Sequence, residues 1–333
     1  MIQRIAMIGD GAMATVSSIL LTAKGYHVTM WGYFEEHVQE MVQDLENRRF
    51  LPGVKIPPAV RLTANDGAVF DKADLIVSAI PCQYMRSVWT RLKPHTPAGV
   101  PVVSVTKGIE NDTLLRPTQI VADVLGGGRS VAALSGPSIA AELARCLPAT
   151  VVASSADEEL ARTVQAVFTT NWFRVYTNTD LVGVELAGAT KNVIALAAGA
   201  VDGLGAGDNA KSALLARGLV EITRLGVALG AQRETFFGLA GLGDLVTTCI
   251  SPFGRNRTAG ERIGRGEKVA DVLGSIESVV EGVPTAKSVM QLADRAKIEM
   301  PITRSVYQIL FEDKDVIEAI GELMSRTPKP ETI

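Results

Sequence analysis

Cysteine and histidine are scarce in this sequence of 333 residues, which contains three of each. Cys82, Cys146 and Cys249 lie far apart and form no CxxC pair, so we expect a reducing compartment rather than a disulfide framework. All three histidines lie in the first third of the chain, and His95 would have to act from a proline-flanked loop. No cluster has metal-ligand spacing, so no metal site is expected. Any acid–base chemistry is therefore expected from lysine rather than histidine.

An excess of charge of either sign is also missing. Lysine and arginine number 33 against 36 acidic residues, a net charge of -3, which argues against nucleic acid or an anionic membrane as partner. The N-terminus reaches a glycine-rich turn after one short apolar run and leaves no room for a signal peptide, so we expect a cytoplasmic protein. The most apolar run is interrupted by Glu185, Lys191 and Asp202, which favours a buried helix over a membrane span.

The glycine-rich turn has the surroundings of a nucleotide-binding motif. Residues 4–8 (RIAMI) predict a strand, residues 13–24 a helix and residues 27–31 a second strand, with Gly9 and Gly11 in the first turn. This order is the context that a dinucleotide-binding fingerprint requires. The glycines would let the backbone approach a pyrophosphate at the helix N-terminus. Asp10 does not suit a phosphate-facing loop, so we expect its side chain to point away from the phosphates.

Apolar runs alternate with helical patterns as far as about residue 178. The alternation predicts an α/β fold, a doubly wound Rossmann-type sheet of parallel strands with a ligand site at the strand ends. Ser138 is expected to cap a helix that reaches Arg145. Beyond residue 178 only helical periodicity is found. We therefore predict a dinucleotide-binding domain at residues 1–178, a mostly α-helical substrate and catalytic domain at 179–326, and a flexible tail at 327–333.

Lys191 lies in an otherwise small and apolar helical run at residues 180–200. In a helix it would share one stripe with Glu185, Gly188, Ala195 and Gly199. A lysine on such a face can be partly desolvated, which would lower its pKa towards the range of a general base. The structural alternative is a lysine whose methylenes cover apolar surface while its amine reaches water.

Several segments of both predicted domains belong together. They are GDGAMAT at 9–15, VTKGIE at 105–110, LSGPSIAAELA at 134–144, GVELAGATKNVIALAAGAVDGLGAGDNAKSALLARGL at 183–219, LAGLGDLVTTC at 239–249, GRNRTAG at 254–260, VVEGVPTAK at 279–287 and EMPI at 299–302. In this order they resemble the bacterial NAD(P)-dependent glycerol-3-phosphate dehydrogenases, and the resemblance covers nearly the whole chain. The resemblance implies an oxidoreductase that reversibly reduces dihydroxyacetone phosphate to sn-glycerol 3-phosphate for glycerophospholipid synthesis. It also implies NAD or NADP as cofactor and a homodimer without integral membrane association.

The same resemblance implies the residues of the site. Lys191 would be the proton donor and acceptor, with Lys107 and Asp244 as the other catalytic residues. The implied substrate-binding residues are Lys107, Gly136, Ser138, Lys191, Asp244, Gly254, Arg255 and Asn256. The implied cofactor-binding residues are Gly9, Gly11, Ala12, Met13, Tyr33, Lys107, Ala140, Arg255, Val279 and Glu281. The residue types agree with these roles, because ketone reduction needs a proton donor and a phosphate ester suits a guanidinium.

Three segments depart from the family pattern. Ala12 and Met13 replace the usual serine and aromatic residue, so a hydroxyl for the cofactor phosphate is lost while backbone donors remain. After the second strand, the sequence WGYF at 31–34 offers neither a cation for a 2′-phosphate nor an acid for a ribose 2′-hydroxyl, so NAD and NADP both stay open. Gly254 replaces the usual serine before Arg255, which would leave the phosphate one hydroxyl short.

Two other functions share part of the pattern. A related two-domain hydroxyacid dehydrogenase would use the same lysine chemistry on a carboxylate, which Arg255 would bind equally well. A non-catalytic nicotinamide-nucleotide-binding protein is suggested by Ala12 and Met13, although the retained lysines argue against it. Arg255 also has a structural alternative, because the four basic residues from Arg255 to Arg265 could form a solvated face.

Overall fold

The computed structural model describes residues 2–328 and 330–331, and the chain divides into two compact units. Unit 1 comprises Met1–Lys107 and Arg116–Leu181, and unit 2 comprises Gly108–Leu115 and Val182–Ile333. The last change of unit, between Leu181 and Val182, falls near the boundary expected at residue 178. No sequence pattern predicted that Gly108–Leu115 would belong to the helical unit. Ile109 and Leu114 pack into the core of unit 2, and the Ser288 hydroxyl donates a hydrogen bond to the Ile109 carbonyl at 3.0 Å.

The predicted tail at 327–333 is described only in part. Residues 327, 328, 330 and 331 are exposed and have no helix or strand, and residues 329, 332 and 333 lie outside the described residues.

Unit 1 is built on one sheet. Its strands are β1 (Arg4–Ile8), β2 (His27–Trp31), β3 (Arg61–Thr63), β4 (Leu75–Ser78), β5 (Val102–Ser104), β6 (Val131–Ser135), β7 (Ala149–Ser154) and β8 (Phe173–Asn178). They are ordered β3-β2-β1-β4-β5-β6-β7-β8, so the order reverses direction between β1 and β4, where doubly wound sheets bind their ligands. β4, for example, is a short and mostly apolar run because all of its residues are buried.

One strand pair departs from the predicted parallel sheet. β6 pairs with β7 antiparallel, whereas the other pairs are parallel. A parallel connection needs a long crossover, usually through a helix, and the link between these two strands contains only the four-residue helix α5 (Ala140–Leu143).

Helices cover the sheet of unit 1. Besides α5 they are α1 (Ala12–Ala23), α2 (Glu35–Asp44), α3 (Met85–Leu92), α4 (Pro117–Leu125) and α6 (Glu158–Phe168). The expected cap at Ser138 was wrong, because α5 begins at Ala140 with Ile139 as its N-cap and no side-chain cap. The Ser138 hydroxyl instead donates to the Gly136 carbonyl at 3.0 Å, two residues back, a local bond that competes with capping.

The long elements of unit 2 are helices. They are α7 (Leu181–Gly203), α8 (Gly207–Ala228), α9 (Asp244–Ile250), α10 (Arg255–Gly264), α11 (Val269–Gly274), α12 (Gly282–Ala296), α13 (Pro301–Phe311) and α14 (Val316–Met324). By length and composition alone, α7 could span a membrane, since its mean hydropathy is 1.4. A second candidate is the bent pair formed by Arg233–Ile250 and Arg255–Gly264. However, 83% of the apolar 18-residue stretch of α7 is buried inside the protein, as expected of a core helix.

Glycines let α7 and α10 cross at backbone contact. A Cβ atom at Gly260 of α10 would lie 2.0 Å from the Leu196 carbonyl oxygen of α7, and one at Gly264 would lie 2.3 Å from that of Ala200. In return, a Cβ at Gly199 of α7 would lie 2.0 Å from the Arg257 carbonyl oxygen. Only residues without a side chain permit this approach. The crossing fixes the start of α10 against the helix that carries Lys191.

Candidate active site

Lys191 is buried at the middle of α7, where it is 5% exposed. The helix forms because its residues are mostly small or straight-chain apolar, without proline, and it is buried on nearly every side. The predicted stripe is therefore part of a helix that has no solvated face over most of its length. The snorkelling alternative is excluded in this structure, since the Lys191 amine does not reach the surface but ends on buried partners.

The partners of Lys191 come from α9. Its Nζ atom lies 2.7 Å from Asp244 Oδ1, and Asp244 is only 2% exposed. Nζ also hydrogen-bonds Thr248 Oγ1, one turn further along α9, and Thr248 Oγ1 lies 3.3 Å from the same carboxylate oxygen. Burial disfavours a charge on either group, and the opposite charge of the neighbour favours it. The result is a compact amine, carboxylate and hydroxyl group held on two helices.

The local fold of α9 brings Asp244 to this position. A π-helical turn, Leu239–Gly243, leads directly into α9, so Asp244 is the first residue of the helix. Gly241 makes the turn possible, because a Cβ there would lie 2.0 Å from the Phe236 carbonyl oxygen. Such π-helical turns are often found at functional sites. Asp244 therefore lies at the start of α9, where its side chain contacts Lys191.

Arg255 differs from its basic neighbours on α10. Arg257 bridges Asp202 at 2.7 Å, and Arg262 and Arg265 pair with Glu267 and Glu261. Arg255 instead donates from Nη1 to the Val279 carbonyl at 3.1 Å, and the residue is exposed.

The surroundings of the Arg255 guanidinium favour anion binding. Although the residue as a whole is exposed, the protein atoms around the guanidinium partly desolvate it and so lower the pKa of Arg255. Nearby Glu281 opposes this effect, and the guanidinium remains charged in either case. In the part of the chain that the structure describes, Arg255 is thus the basic residue of α10 whose partner is a neutral carbonyl. Val279 and Glu281 were both predicted to bind the cofactor together with Arg255. They lie beside Arg255, just before the first residue of α12.

Asn256 joins three helices. Its Nδ2 atom donates to Asn192 Oδ1 of α7 at 3.0 Å, and its Oδ1 accepts from the Gly282 backbone N–H of α12 at 2.8 Å. An amide nitrogen carries two N–H donors, so one is left for an anion. Gly254 is the N-cap of α10, and a Cβ there would lie 2.9 Å from the Thr248 carbonyl oxygen. This close contact accounts for glycine where the resemblance led us to expect serine.

The glycine turn of unit 1 fits a dinucleotide phosphate. Gly9 has φ +121, and a Cβ there would lie 2.7 Å from the Ala79 carbonyl oxygen, so glycine is required. Gly11 is the N-cap of α1, no side chain caps it, and a Cβ on it would meet nothing within 4 Å. The uncapped first turn at Ala12 and Met13 therefore offers backbone N–H donors beside open space, which is what an anion needs.

Three of the other predicted residues of unit 1 meet at one carbonyl. Lys107 follows β5 and donates from Nζ to the Gly136 carbonyl at 2.9 Å, and the Ser138 hydroxyl donates to the same atom. Gly136 has φ +136 and packs against Val151, where a Cβ would lie 2.9 Å from Cα. Ala140 is the first residue of α5. Tyr33, after β2, is 46% exposed and does not belong to this group.

Sequence reasoning missed Thr248 and Asn192. Thr248 lies four residues after Asp244, on the same face of a helix, so helical spacing was the one available signal. Asn192 directly follows Lys191, and its contact with Asn256 depends on the crossing of α7 and α10. Cys249 on α9 is buried, and burial raises the pKa of its thiol to about 12, which disfavours the thiolate that a nucleophile needs.

Comparison with known proteins identifies the family. The model of the NAD-dependent glycerol-3-phosphate dehydrogenase N-terminus matches residues 4–161, and that of the C-terminus matches residues 180–321. The glycerol-3-phosphate dehydrogenase (NAD(P)+) of Geobacter sulfurreducens is 50% identical over 333 residues, covering 99% of each chain.

Solved structures agree with the sequence comparison. The crystal structure of glycerol-3-phosphate dehydrogenase from Coxiella burnetii has a TM-score of 0.94 at 37% identity and covers 97% of this chain and 99% of that chain. The glycerol-3-phosphate dehydrogenase of Saccharomyces cerevisiae has a TM-score of 0.81 at 26% identity and covers 96% and 99% of the two chains. The expected fold, a doubly wound α/β sheet followed by a mostly helical part, is confirmed. The chain belongs to the NAD-dependent glycerol-3-phosphate dehydrogenase family.

Proposed function

We propose that the protein is an NAD(P)-dependent sn-glycerol-3-phosphate dehydrogenase, which reversibly reduces dihydroxyacetone phosphate to sn-glycerol 3-phosphate. Family membership supports the reaction, and the buried contact of Lys191 with Asp244 at 2.7 Å is the structural observation that carries it. A buried amine held by a carboxylate needs a reason, because such a pair often contributes little to stability compared with apolar residues. Proton transfer to a substrate oxygen is such a reason.

Lys191 is the proposed proton donor and acceptor. A bound nicotinamide supplies or accepts the hydride, and the chain must handle the proton of the alcohol. In the reductive direction the Lys191 ammonium donates a proton to the alkoxide oxygen as it forms, and the neutral amine accepts it in the reverse direction. The small residues around Lys191 leave the helix thin at this point, which supports the approach of a small substrate.

Asp244 and Thr248 are proposed to hold the amine in place. Both contact Nζ from one face of α9, so they fix the position of the amine. The Asp244 carboxylate also stabilises the ammonium form before proton donation. Asp244 is therefore proposed as a catalytic residue that also contacts substrate, and Thr248 as a positioning residue.

Arg255 and Asn256 are proposed to bind the substrate phosphate. The Arg255 guanidinium has a planar set of donors suited to phosphate oxygens, and the uncapped start of α10 at Gly254 adds backbone N–H groups to the same region. Asn256 has one N–H left after its contact with Asn192. Since Arg255 lies beside Val279 and Glu281, we propose that the three residues also contact the cofactor.

Unit 1 is proposed to bind the cofactor. Gly9, Gly11, Ala12 and Met13 would hold the pyrophosphate through backbone donors, and Tyr33 would lie along the adenosine. Lys107 is proposed as a second cation for the substrate oxygen, joined by Gly136 and Ser138 in binding substrate and by Ala140 in binding cofactor. We also propose residues 1–178 as the dinucleotide-binding domain and 179–326 as the catalytic domain, with Gly108–Leu115 as an excursion of the first into the second.

Turnover of dihydroxyacetone phosphate with NADH and with NADPH, measured separately, tests the reaction. Absence of turnover with both cofactors refutes it. A 2-keto acid reduced in place of dihydroxyacetone phosphate would favour the related hydroxyacid dehydrogenase, and tight cofactor binding without any turnover would favour the non-catalytic binding protein. Lys191→Ala should abolish turnover while cofactor binding persists, and an unchanged kcat would remove Lys191 from this role.

Arg255→Ala tests the anion site, with Arg257→Ala as the matched control on the same helix. The first change should chiefly raise the KM for dihydroxyacetone phosphate, because it removes a phosphate contact. Arg257 is engaged with Asp202 and should affect stability more than KM. An effect of Arg255→Ala confined to cofactor affinity would reassign that residue.

The cellular setting is proposed from the family resemblance. We infer a homodimer in the cytoplasm that supplies glycerol phosphate for glycerophospholipid synthesis. Sedimentation velocity tests the dimer, and a single monomeric species at micromolar concentration would contradict it.

A further inference from the structure

At the adenosine end of the proposed cofactor site lies an acidic side chain that does not follow β2 in the sequence. Dinucleotide-binding folds commonly place a carboxylate at the end of the second strand to bind the ribose 2′-hydroxyl of NAD, or an arginine nearby to accommodate the 2′-phosphate of NADP. Here β2 ends at Trp31 and is followed by Gly32, Tyr33 and Phe34, none of which is charged.

The side chain of Asp10 lies where a residue at position 32 would project. A Cβ atom at Gly32 would lie 2.8 Å from Asp10 Oδ2 and 3.2 Å from Asp10 Cβ, so the two positions cannot both carry a side chain. The backbone of Tyr33 lies close enough to the Asp10 carboxylate to favour its charged form and so to lower its pKa. β1 and β2 are neighbouring parallel strands, with Ile8 opposite Trp31, so a residue two positions after β1 reaches the end of β2. Asp10 thus turns away from the phosphate position, as expected, and towards the ribose position.

We propose that Asp10 selects the cofactor: its carboxylate accepts a hydrogen bond from the adenosine ribose 2′-hydroxyl and repels a 2′-phosphate, so that NAD(H) binds more tightly than NADP(H). The inference rests on the proposed dehydrogenase function, since it assigns a preference to the same cofactor site. A carboxylate has about four acceptor positions, so that of Asp10 has room for a ribose hydroxyl. Burial raises the pKa of Asp10, and a new donor would relieve part of that desolvation.

The cations near this position are balanced by acids. His37 and Arg49 both act to keep Asp10 charged, and the Arg49 guanidinium lies 5.1 Å from the centre of the Phe50 ring. Arg91 packs 4.9 Å from the Tyr33 ring centre but makes two hydrogen bonds of 2.8 Å to Asp66. Arg49 therefore faces Asp10, Arg91 faces Asp66, and His37 Nδ1 lies 3.6 Å from Glu40 Oε2, so each of these basic residues has an acid beside it.

Arg49 is the residue that would act against the proposal. The loop that carries it is tied to the glycine turn by Asn47, whose Nδ2 donates to the Asp10 carbonyl at 2.7 Å and to Thr15 Oγ1 at 2.8 Å. If Arg49 swung from the Phe50 ring onto a 2′-phosphate, NADPH would be favoured instead. The experiment must therefore separate the effects of Asp10 and Arg49.

Isothermal titration calorimetry of the full-length protein with NADH and with NADPH measures the preference without any catalysis. We expect the Kd for NADH to be lower by about tenfold or more, because two like charges close together near the surface are repelled to that extent. Asp10→Asn keeps the shape and removes the charge, so it should tighten NADPH binding, weaken NADH binding and reduce the ratio by about tenfold. Arg49→Ala should leave NADH binding nearly unchanged.

Two results would overturn the proposal. One is a wild-type protein that binds NADPH as tightly as NADH or more tightly. The other is an Asp10→Asn variant that alters both affinities equally while its melting temperature shows that it is folded. If that variant does not fold, competition of adenosine 2′-phosphate and adenosine 5′-phosphate against NADH on the wild type decides, and stronger competition by the 2′-phosphate rejects the proposal. Failure of the dehydrogenase function is distinguishable, because it would abolish turnover with both cofactors and leave the Kd ratio intact.

Discussion

Replacing Gly260 by alanine should force α7 and α10 apart and disturb both the stability of unit 2 and the proposed phosphate site. The new methyl group would lie 2.0 Å from the Leu196 carbonyl oxygen, a distance at which backbone atoms have to move. An ordinary carbon–oxygen contact is about 3.4 Å, so the two helix axes would have to separate by about 1.4 Å. Backbone oxygen cannot rotate away as the end of a flexible side chain can.

The expected loss of stability is at the upper end of the range for overpacked cores. Inserting one methyl group into a close-packed interior costs about 1–3 kcal/mol, and alanine recovers up to about 1 kcal/mol over glycine through its helix propensity. Because the clash is with backbone and neighbouring contacts at Gly199 and Gly264 must loosen together, we expect a net loss of about 2 kcal/mol.

Gly321→Ala provides the matched control. Gly321 lies inside α14, is exposed, and a Cβ there would meet nothing within 4 Å. The same change of residue should therefore stabilise by about 0.5–1 kcal/mol through backbone entropy and helix propensity alone. Urea unfolding followed by circular dichroism, with the slope of the transition compared among the three proteins, measures both free energies of unfolding.

Kinetics should separate the two variants further. Arg255 and Asn256 lie within five positions of Gly260 on the same helix, so separating the helices should raise the KM for dihydroxyacetone phosphate and lower kcat/KM by about ten- to a hundredfold. Gly321→Ala should leave both constants unchanged. A Gly260→Ala protein as stable and as active as the wild type would show that the crossing tolerates a side chain and that the packing argument is wrong.

The remaining predictions concern buried polar groups of unit 2. Thr248→Val should lower kcat by about tenfold with little change in KM, since it removes a hydrogen bond that holds the Lys191 amine. Thr248→Ser keeps the hydroxyl and should restore kcat. A valine variant with the wild-type kcat would reject the positioning role. Glu221 accepts the Ile302 and Thr303 backbone N–H groups at 2.9 and 2.8 Å, yet burial raises its pKa above the ordinary value of 4.5. The folded protein therefore holds a proton that the unfolded chain has released, so the stability contributed by Glu221 should fall as the pH rises from about 4.5 through the raised pKa. We expect the free energy of unfolding of the wild type, relative to that of Glu221→Gln, to decrease as the pH rises from about 4.5. A relative free energy of unfolding that stays constant or increases with pH would contradict this expectation.

The elements that the sequence predicted well are those whose signal is local. β1, α1 and β2 follow from one apolar run, a glycine turn and a helical pattern, and the glycine at position 9 is required by its own backbone angle. α7 was predicted within three residues because its composition alone favours a long helix. Its burial on nearly all sides was also readable, since a run so poor in polar residues has no face to offer to water.

The elements that were missed depend on contacts with distant segments. α10 reads RNRTAGERIG, a sequence with four charges and two glycines that has no strong apolar stripe. It is held as a helix by the glycine contacts with α7 and by ion pairs such as Arg257 with Asp202, which no local pattern reveals. The excursion of Gly108–Leu115 into unit 2 has the same origin, because the partners of Ile109 lie far along the chain.

The candidate site shows the same division between residue type and arrangement. Lysine, aspartate and arginine at the matching positions of family motifs were enough to name Lys191, Asp244 and Arg255, but not to say what holds them. That information lies in glycines: Gly241 allows the turn that brings Asp244 to Lys191, and Gly260 allows α10 to bring Asn256 to Asn192. Gly32 likewise makes room for the carboxylate of Asp10. A glycine shows in the sequence only that a side chain is missing, and the structure is needed to show which atom occupies the space. For this reason the substitutions with most power to test the site are those that add a methyl group beside it.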